Sequence, residues 1–134
     1  MLSLCLIFCV SCYQETNKYT EILTGGNCKY WEYVDPDYGI PLNSYQFCKD
    51  SILNVYTFDK PNFFKRKLVR STSAGDYPKW SISNDTLYWL VMSATKIVKL
   101  NNDTVILDIY NFGARDTTKE ELILVKSSRQ CECD

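Results

Sequence analysis

Residues 80–110 read WSISNDTLYWLVMSATKIVKLNNDTVILDIY, and one pattern occurs in them twice, eighteen residues apart: an apolar run, Asn-Asp-Thr, an apolar run (Asn84-Asp85-Thr86 and Asn102-Asp103-Thr104). An offset of that size is about one hairpin. Asn and Asp tolerate the positive φ of a tight turn, and a β-branched threonine restarts the strand. The echo is turn chemistry used twice. It sets the reading for the rest of the chain, which is short strands joined by reversals.

Working outward, nine segments read as strands: CKYWEYV (28–34), SYQFCK (44–49), ILNVYTF (52–58), FFKRKLVR (63–70), KWSIS (79–83), TLYWLVM (86–92), TKIVKL (95–100), TVILDIY (104–110) and ELILVK (121–126). DPDYG (35–39) places Pro36 and Gly39 for a reversal, and SAGDYP (73–78) does so with Gly75 and Pro78. Only NKYTEILTGG (17–26) has helical spacing, with Tyr19, Ile22 and Leu23 at i, i+3 and i+4 and Gly25 where a left-handed stop belongs. The expectation is an all-β antiparallel meander with one short helix. Several strands are apolar on both faces: Val105, Leu107 and Ile109 stand opposite Ile106 and Tyr110, and Leu122 and Leu124 opposite Ile123 and Val125. Such strands suit a covered sandwich or a closed barrel, and a meander favours the barrel.

The chain has 134 residues, enough for one domain. Fifteen basic against sixteen acidic residues leave it near neutral, so no overall field recruits nucleic acid. There is no histidine, which removes the commonest general base and metal ligand. Carboxylates are scattered, no serine sits in a nucleophile elbow, and Gly25-Gly26 has no phosphate loop behind it. The reading is a protein without catalytic residues, cofactor or metal.

At the N-terminus, MLSLCLIFCVSCYQET has no charged residue between positions 2 and 11, and this apolar run is half of what a bilayer-crossing helix needs. It reads as a secretory signal. Val10-Ser11-Cys12 resembles the lipobox of bacterial lipoproteins, which implies removal of residues 1–11 and a lipid on the Cys12 thiol. A plain secretory signal and a buried N-terminal strand are the other readings. The division that follows is signal peptide 1–11, anchor, tether and short helix 12–24, and a β domain over 25–134 with a cysteine-containing tail. Four cysteines remain, Cys28, Cys48, Cys131 and Cys133, and outside the cytoplasm they suggest disulfides with three pairings open. Cys131 and Cys133 lie too close in sequence to bond each other easily. At least one is expected to reach an early strand, with Cys28 the first candidate. A zinc site would want the paired C-x-x-C spacing that is missing.

The short helix, LTGG, Lys29 and Trp31 in the first strand, and the late block WSISNDTL followed by KIVKLNNDTVIL resemble the lipocalin-like lipoproteins of the bacterial envelope, common in Bacteroidetes. The resemblance covers roughly Thr20 to Lys126. It implies an up-and-down barrel of about eight strands whose base is closed by the helix and crossed by the first-strand tryptophan. It also implies a lipid-anchored envelope protein, most simply a monomer at the outer membrane, that binds a small hydrophobic ligand or serves as a structural module. The alternatives are a secreted or periplasmic protein, and a surface module that recognises glycans or protein partners.

The chain has six Phe, three Trp and ten Tyr. Such residues can line an apolar or sugar-stacking pocket, or simply fill a β core. The ligand-binding candidates are Trp31, Tyr33, Tyr45, Phe47, Tyr56, Phe58, Trp80 and Trp89. Lys65, Arg66, Lys67 and Arg70 share one strand, which suits either an anionic partner or a guarded sheet edge. Asp35 and Asp37 offer two carboxylates, well short of a calcium shell, and read as turn residues. The Asn-Asp-Thr triplets are glycosylation sequons in form. They, Asp50 and Asp116 also resemble the Asp-Ser/Thr-apolar pattern of Bacteroidetes O-glycosylation, which would place sugars on Ser51, Thr86, Thr104 or Thr117.

Overall fold

A computed structural model describes residues 18–58, 66–71, 79–89, 94–109 and 120–127. All nine expected strands are present and in order: β1 (Cys28–Val34), β2 (Pro41–Cys48), β3 (Leu53–Phe58), β4 (Arg66–Ser71), β5 (Ser81–Ser83), β6 (Thr86–Tyr88), β7 (Ala94–Leu100), β8 (Thr104–Ile109) and β9 (Glu120–Lys126). They form one sheet in the order β4-β3-β2-β1-β9-β8-β7-β6-β5, each neighbour antiparallel. The meander is therefore cut into two halves joined by β1 and β9.

The expectation of a closed barrel of about eight strands is corrected: among the described residues the nine-stranded sheet stays open between β4 and β5. The reason is parity. Direction alternates along an antiparallel sheet, so the first and last of nine strands run the same way and cannot extend the antiparallel ladder; closure would need a parallel pairing of β4 with β5, which the described residues do not make. The sheet is nonetheless strongly rolled. Phe47 on β2 lies 5.5 Å, centroid to centroid, from Trp80, which immediately precedes β5. In a flat sheet six strand spacings would hold them about 29 Å apart.

Alternate residues of the strands point into the roll. Trp31, Tyr45, Phe47, Leu53, Leu87, Ile97, Val105, Leu107 and Leu124 make the core with Leu23, Trp80 and Trp89. The doubly apolar strands do not bury both faces as expected. On β9 Leu124 is fully buried while Ile123 is 46% exposed, and on β8 Ile106 is only half-buried. Burial of the outer face occurs instead on β1–β3, where Glu32, Ser44, Tyr56 and Phe58 are buried. Among the described residues no buried side-chain N or O lacks a hydrogen-bond partner.

The short helix α1 (18–24) ends as its sequence implies, with Gly25 at φ 60°. A helix leaves its last four carbonyls without intrahelical partners. Here each finds a separate donor. Gly25 N–H donates to Glu21 O (2.8 Å) and Asn27 N–H to Thr24 O (3.3 Å). Lys29 Nζ donates to Ile22 O (3.2 Å), and the Trp31 indole N–H to Leu23 O (2.9 Å). Lys29 and Trp31 thus fasten the helix across one end of the roll.

Two turns that look alike in sequence fold differently. Asn84 takes the positive φ itself, at 54°. In the β7–β8 turn the work passes to Asn101, whose Oδ1 accepts from the N–H groups of Asp103 (2.9 Å) and Thr104 (2.8 Å).

Candidate functional site

The concave face of the roll gathers most of the expected aromatic residues. Trp31, Tyr45, Phe47, Trp80 and Trp89 lie in the core, and Tyr33 is half-buried against it. Strand alternation supplies Trp31 and Tyr33 from β1 and Tyr45 and Phe47 from β2, with Trp31 opposite Tyr45 in register. Tyr45 meets Trp89 at 5.0 Å and 70°, Phe47 meets Trp80 at 5.5 Å and 84°, and Phe47 meets Trp89 at 6.0 Å and 34°. Edge-to-face contacts at these distances are favourable aromatic packing. Tyr56 and Phe58 are the exceptions: they alternate with Leu53 and Val55 and so belong to the opposite face.

The polar handles of this cluster are spent within the protein. The Trp80 indole N–H donates to Cys48 O (2.9 Å), and that of Trp89 to Thr95 Oγ1 (3.1 Å). Thr95 Oγ1 in turn donates to Leu87 O (3.2 Å). Burial pushes the Tyr45 phenol above its ordinary value, with nearby Tyr33 acting the same way and a hydrogen bond from Asn43 opposing. At the helix end, the Lys29 ammonium stands 4.2 Å from the Trp31 ring centroid and also donates to Asn102 O (2.8 Å). Its pKa is lowered by burial and then by Lys126, with Asp103 opposing.

The convex face of β1–β3 carries a second group, of which the sequence reading singled out only Tyr56. Glu32, Ser44 and Tyr56 lie opposite one another across three strands, and Tyr30, Gln46 and Asn54 form the adjacent row. The first row is buried and the second half-buried. Glu32 Oε1 accepts from Ser127 Oγ (2.7 Å). Gln46 Oε1 accepts from Asn54 Nδ2 (2.8 Å) and from Tyr56 OH (3.5 Å). Tyr30 packs on Tyr56 at 5.7 Å and 59°, a tilted pair and not a coplanar platform. Strand alternation placed these residues opposite the aromatic face, but the register that aligns them could not be read from one sequence.

The expected bridge from Cys131 or Cys133 to Cys28 is corrected. Cys28 bonds Cys48, because the β1–β2 register sets the two opposite each other with Cα atoms 4.1 Å apart. Cys12, Cys131, Cys133, Lys65, Tyr110, Thr117 and the 73–78 turn lie outside the described residues, as does the whole of 1–11. Arg66, Lys67 and Arg70 fall on β4 at the end of the sheet, where Leu68 and Val69 are exposed. A register shift in the β3–β4 pairing and basic residues in the sequence are common guards of an edge. Asp35 is a turn residue: its Oδ1 accepts from Asp37 N–H (2.8 Å) and Tyr38 N–H (3.1 Å). Ser51, Thr86 and Thr104 are half-buried at their turns. Among the described residues no group of three acidic or thiol side chains is placed to hold a metal, and no helix is long and apolar enough to cross a membrane.

No family model matches the chain, and no curated protein or solved structure matches it either.

Proposed function

We propose that the protein is a non-enzymatic, lipid-anchored module of the bacterial cell envelope, lipocalin-like in kind, tethered through Cys12 after removal of residues 1–11. Of the two roles such a module can take, ligand carrier or structural module, the packing favours the second. The observation that carries this is Phe47, wholly buried and in ring contact with both Trp80 and Trp89. The core aromatics that would line a ligand site pack against one another, and the three indole N–H groups are bonded to Leu23 O, Cys48 O and Thr95 Oγ1, as in a close-packed interior. The tether is short: Lys18 on α1 follows Cys12 by six positions, a reach of at most about 20 Å.

Native and denaturing mass spectrometry of the membrane-extracted protein tests both parts. The expected result is a chain beginning at Cys12 with added acyl mass and no further noncovalent mass. A copurifying small molecule would replace the structural role with ligand carriage. A chain that starts elsewhere without lipid would remove the anchor.

A further inference from the structure

The Cys28–Cys48 disulfide is unevenly covered. Its halves come from one register pair, at the start of β1 and the end of β2, yet Cys28 is exposed while Cys48 is only 6% exposed. The backbone at Cys48 is also firmly held. Its N–H donates to Ile52 O (3.0 Å), and its carbonyl accepts from Ser51 N–H (3.0 Å) and from the Trp80 indole N–H (2.9 Å). Beside the bridge, Lys49 N–H donates to Asn27 O (2.8 Å), which ties the two chains together once more. None of these bonds passes through sulfur. In thiol–disulfide exchange a thiolate attacks one sulfur and the other leaves, and access decides which is attacked. Here access selects Cys28.

We propose that Cys28 is a reversible attachment site for a small monothiol, with Cys48 as the thiol that releases it. The incoming thiolate bonds to the Cys28 sulfur, the Cys28–Cys48 bond breaks, and Cys48 leaves as a thiolate that takes up a proton. One disulfide replaces another, so no oxidant or reductant is consumed. The backbone bonds at Cys48 and the β1–β2 register do not need the bridge, so Cys48 stays opposite the modified Cys28, with Cα atoms 4.1 Å apart. Its thiolate returns to the Cys28 sulfur in an intramolecular step, favoured by proximity, and expels the monothiol. The proposal does not depend on the lipid anchor or on the packing of the core.

Trapping the exchange in the full-length protein tests it. Reduced glutathione is added, free thiols are blocked with N-ethylmaleimide at successive times, and the peptides are mapped by mass spectrometry. The expected intermediate carries glutathione on Cys28 and maleimide on Cys48, and exceeds the opposite arrangement about tenfold or more. The same reaction in urea, where both sulfurs are open, should lose that preference. Removing glutathione before the block should restore the Cys28–Cys48 bond. Glutathione on Cys48, or on both cysteines equally in the folded protein, would overturn the assignment. So would a preference that persists in urea, a bridge that opens only in urea, or Cys28 joined to another cysteine of the chain in place of glutathione. An adduct that survives glutathione removal would overturn the role of Cys48.

Discussion

Ser51 occupies a left-handed conformation, φ 69°, in the turn from β2 to β3. Its N–H donates to Cys48 O and that of Ile52 to Asp50 Oδ1, so the surrounding bonds hold a backbone that an L side chain disfavours. Ser51→Gly should raise the unfolding free energy by about 1 kcal/mol in urea titration. KDSI pointed to the wrong residue: Asp50 is of the type that usually takes this conformation, yet Ser51 beside it carries the positive φ. Tyr45 makes a prediction in pH. Burial holds its proton in the folded state beyond the ordinary tyrosine value of 10.0. An unfolded chain releases that proton first, so between the two pKa values the folded state binds more protons and stability falls as pH rises. Tyr45→Phe should follow the unaltered protein up to about pH 10 and lose less stability above it. Lys29 acts in the opposite direction below 10.5, since its depressed pKa makes the unfolded state the greater proton binder there. It is common to both proteins, and the difference between their denaturation curves isolates Tyr45.

At the scale of elements, β1 and β2 are joined twice, by seven register pairs and by the disulfide. The bridge closes a sequence separation of 20, for which the loss of unfolded-state entropy is worth about 3 kcal/mol. Replacing both cysteines by serine should lower the unfolding free energy by about that amount in denaturant titration. A loss under about 1 kcal/mol would mean that the hairpin persists in the unfolded chain and already restricts it. Strand existence was legible in the sequence because alternation and turn residues are local signals. What was not legible is pairing. The sequence favoured Cys131 or Cys133 as the partner of Cys28, and only register sets Cys48 opposite it; likewise Tyr56 could not be told from Tyr45 without knowing which face each takes. The helix end shows the same division: Gly25 announced the stop, whereas the capture of Ile22 O by Lys29 and Leu23 O by Trp31 depends on how β1 crosses beneath it.

For the whole molecule, parity and rolling together decide how the two halves of the sheet meet. Strands β5 and β6 pair through three residues each, so backbone bonds hold that corner weakly. Its attachment runs through side chains: Trp80 to Phe47 and to Cys48 O, and Trp89 to Phe47 and Tyr45. An interior with an empty centre would show no such bridge, and a closed ladder would not need one. Phe47→Ala removes the common ring and should cost about 3–5 kcal/mol, in the range of large aromatic truncations. The cost should not spread evenly. Hydrogen exchange should quicken most in residues 81–88, which lose their hold on β2, and least in β1 and β9, whose ladder is untouched. Equal acceleration throughout would mean that the sheet opens as one unit, with the aromatic bridge contributing to global stability only. Selective acceleration at the β5–β6 corner would establish that this bridge, and not strand pairing, keeps the open sheet rolled.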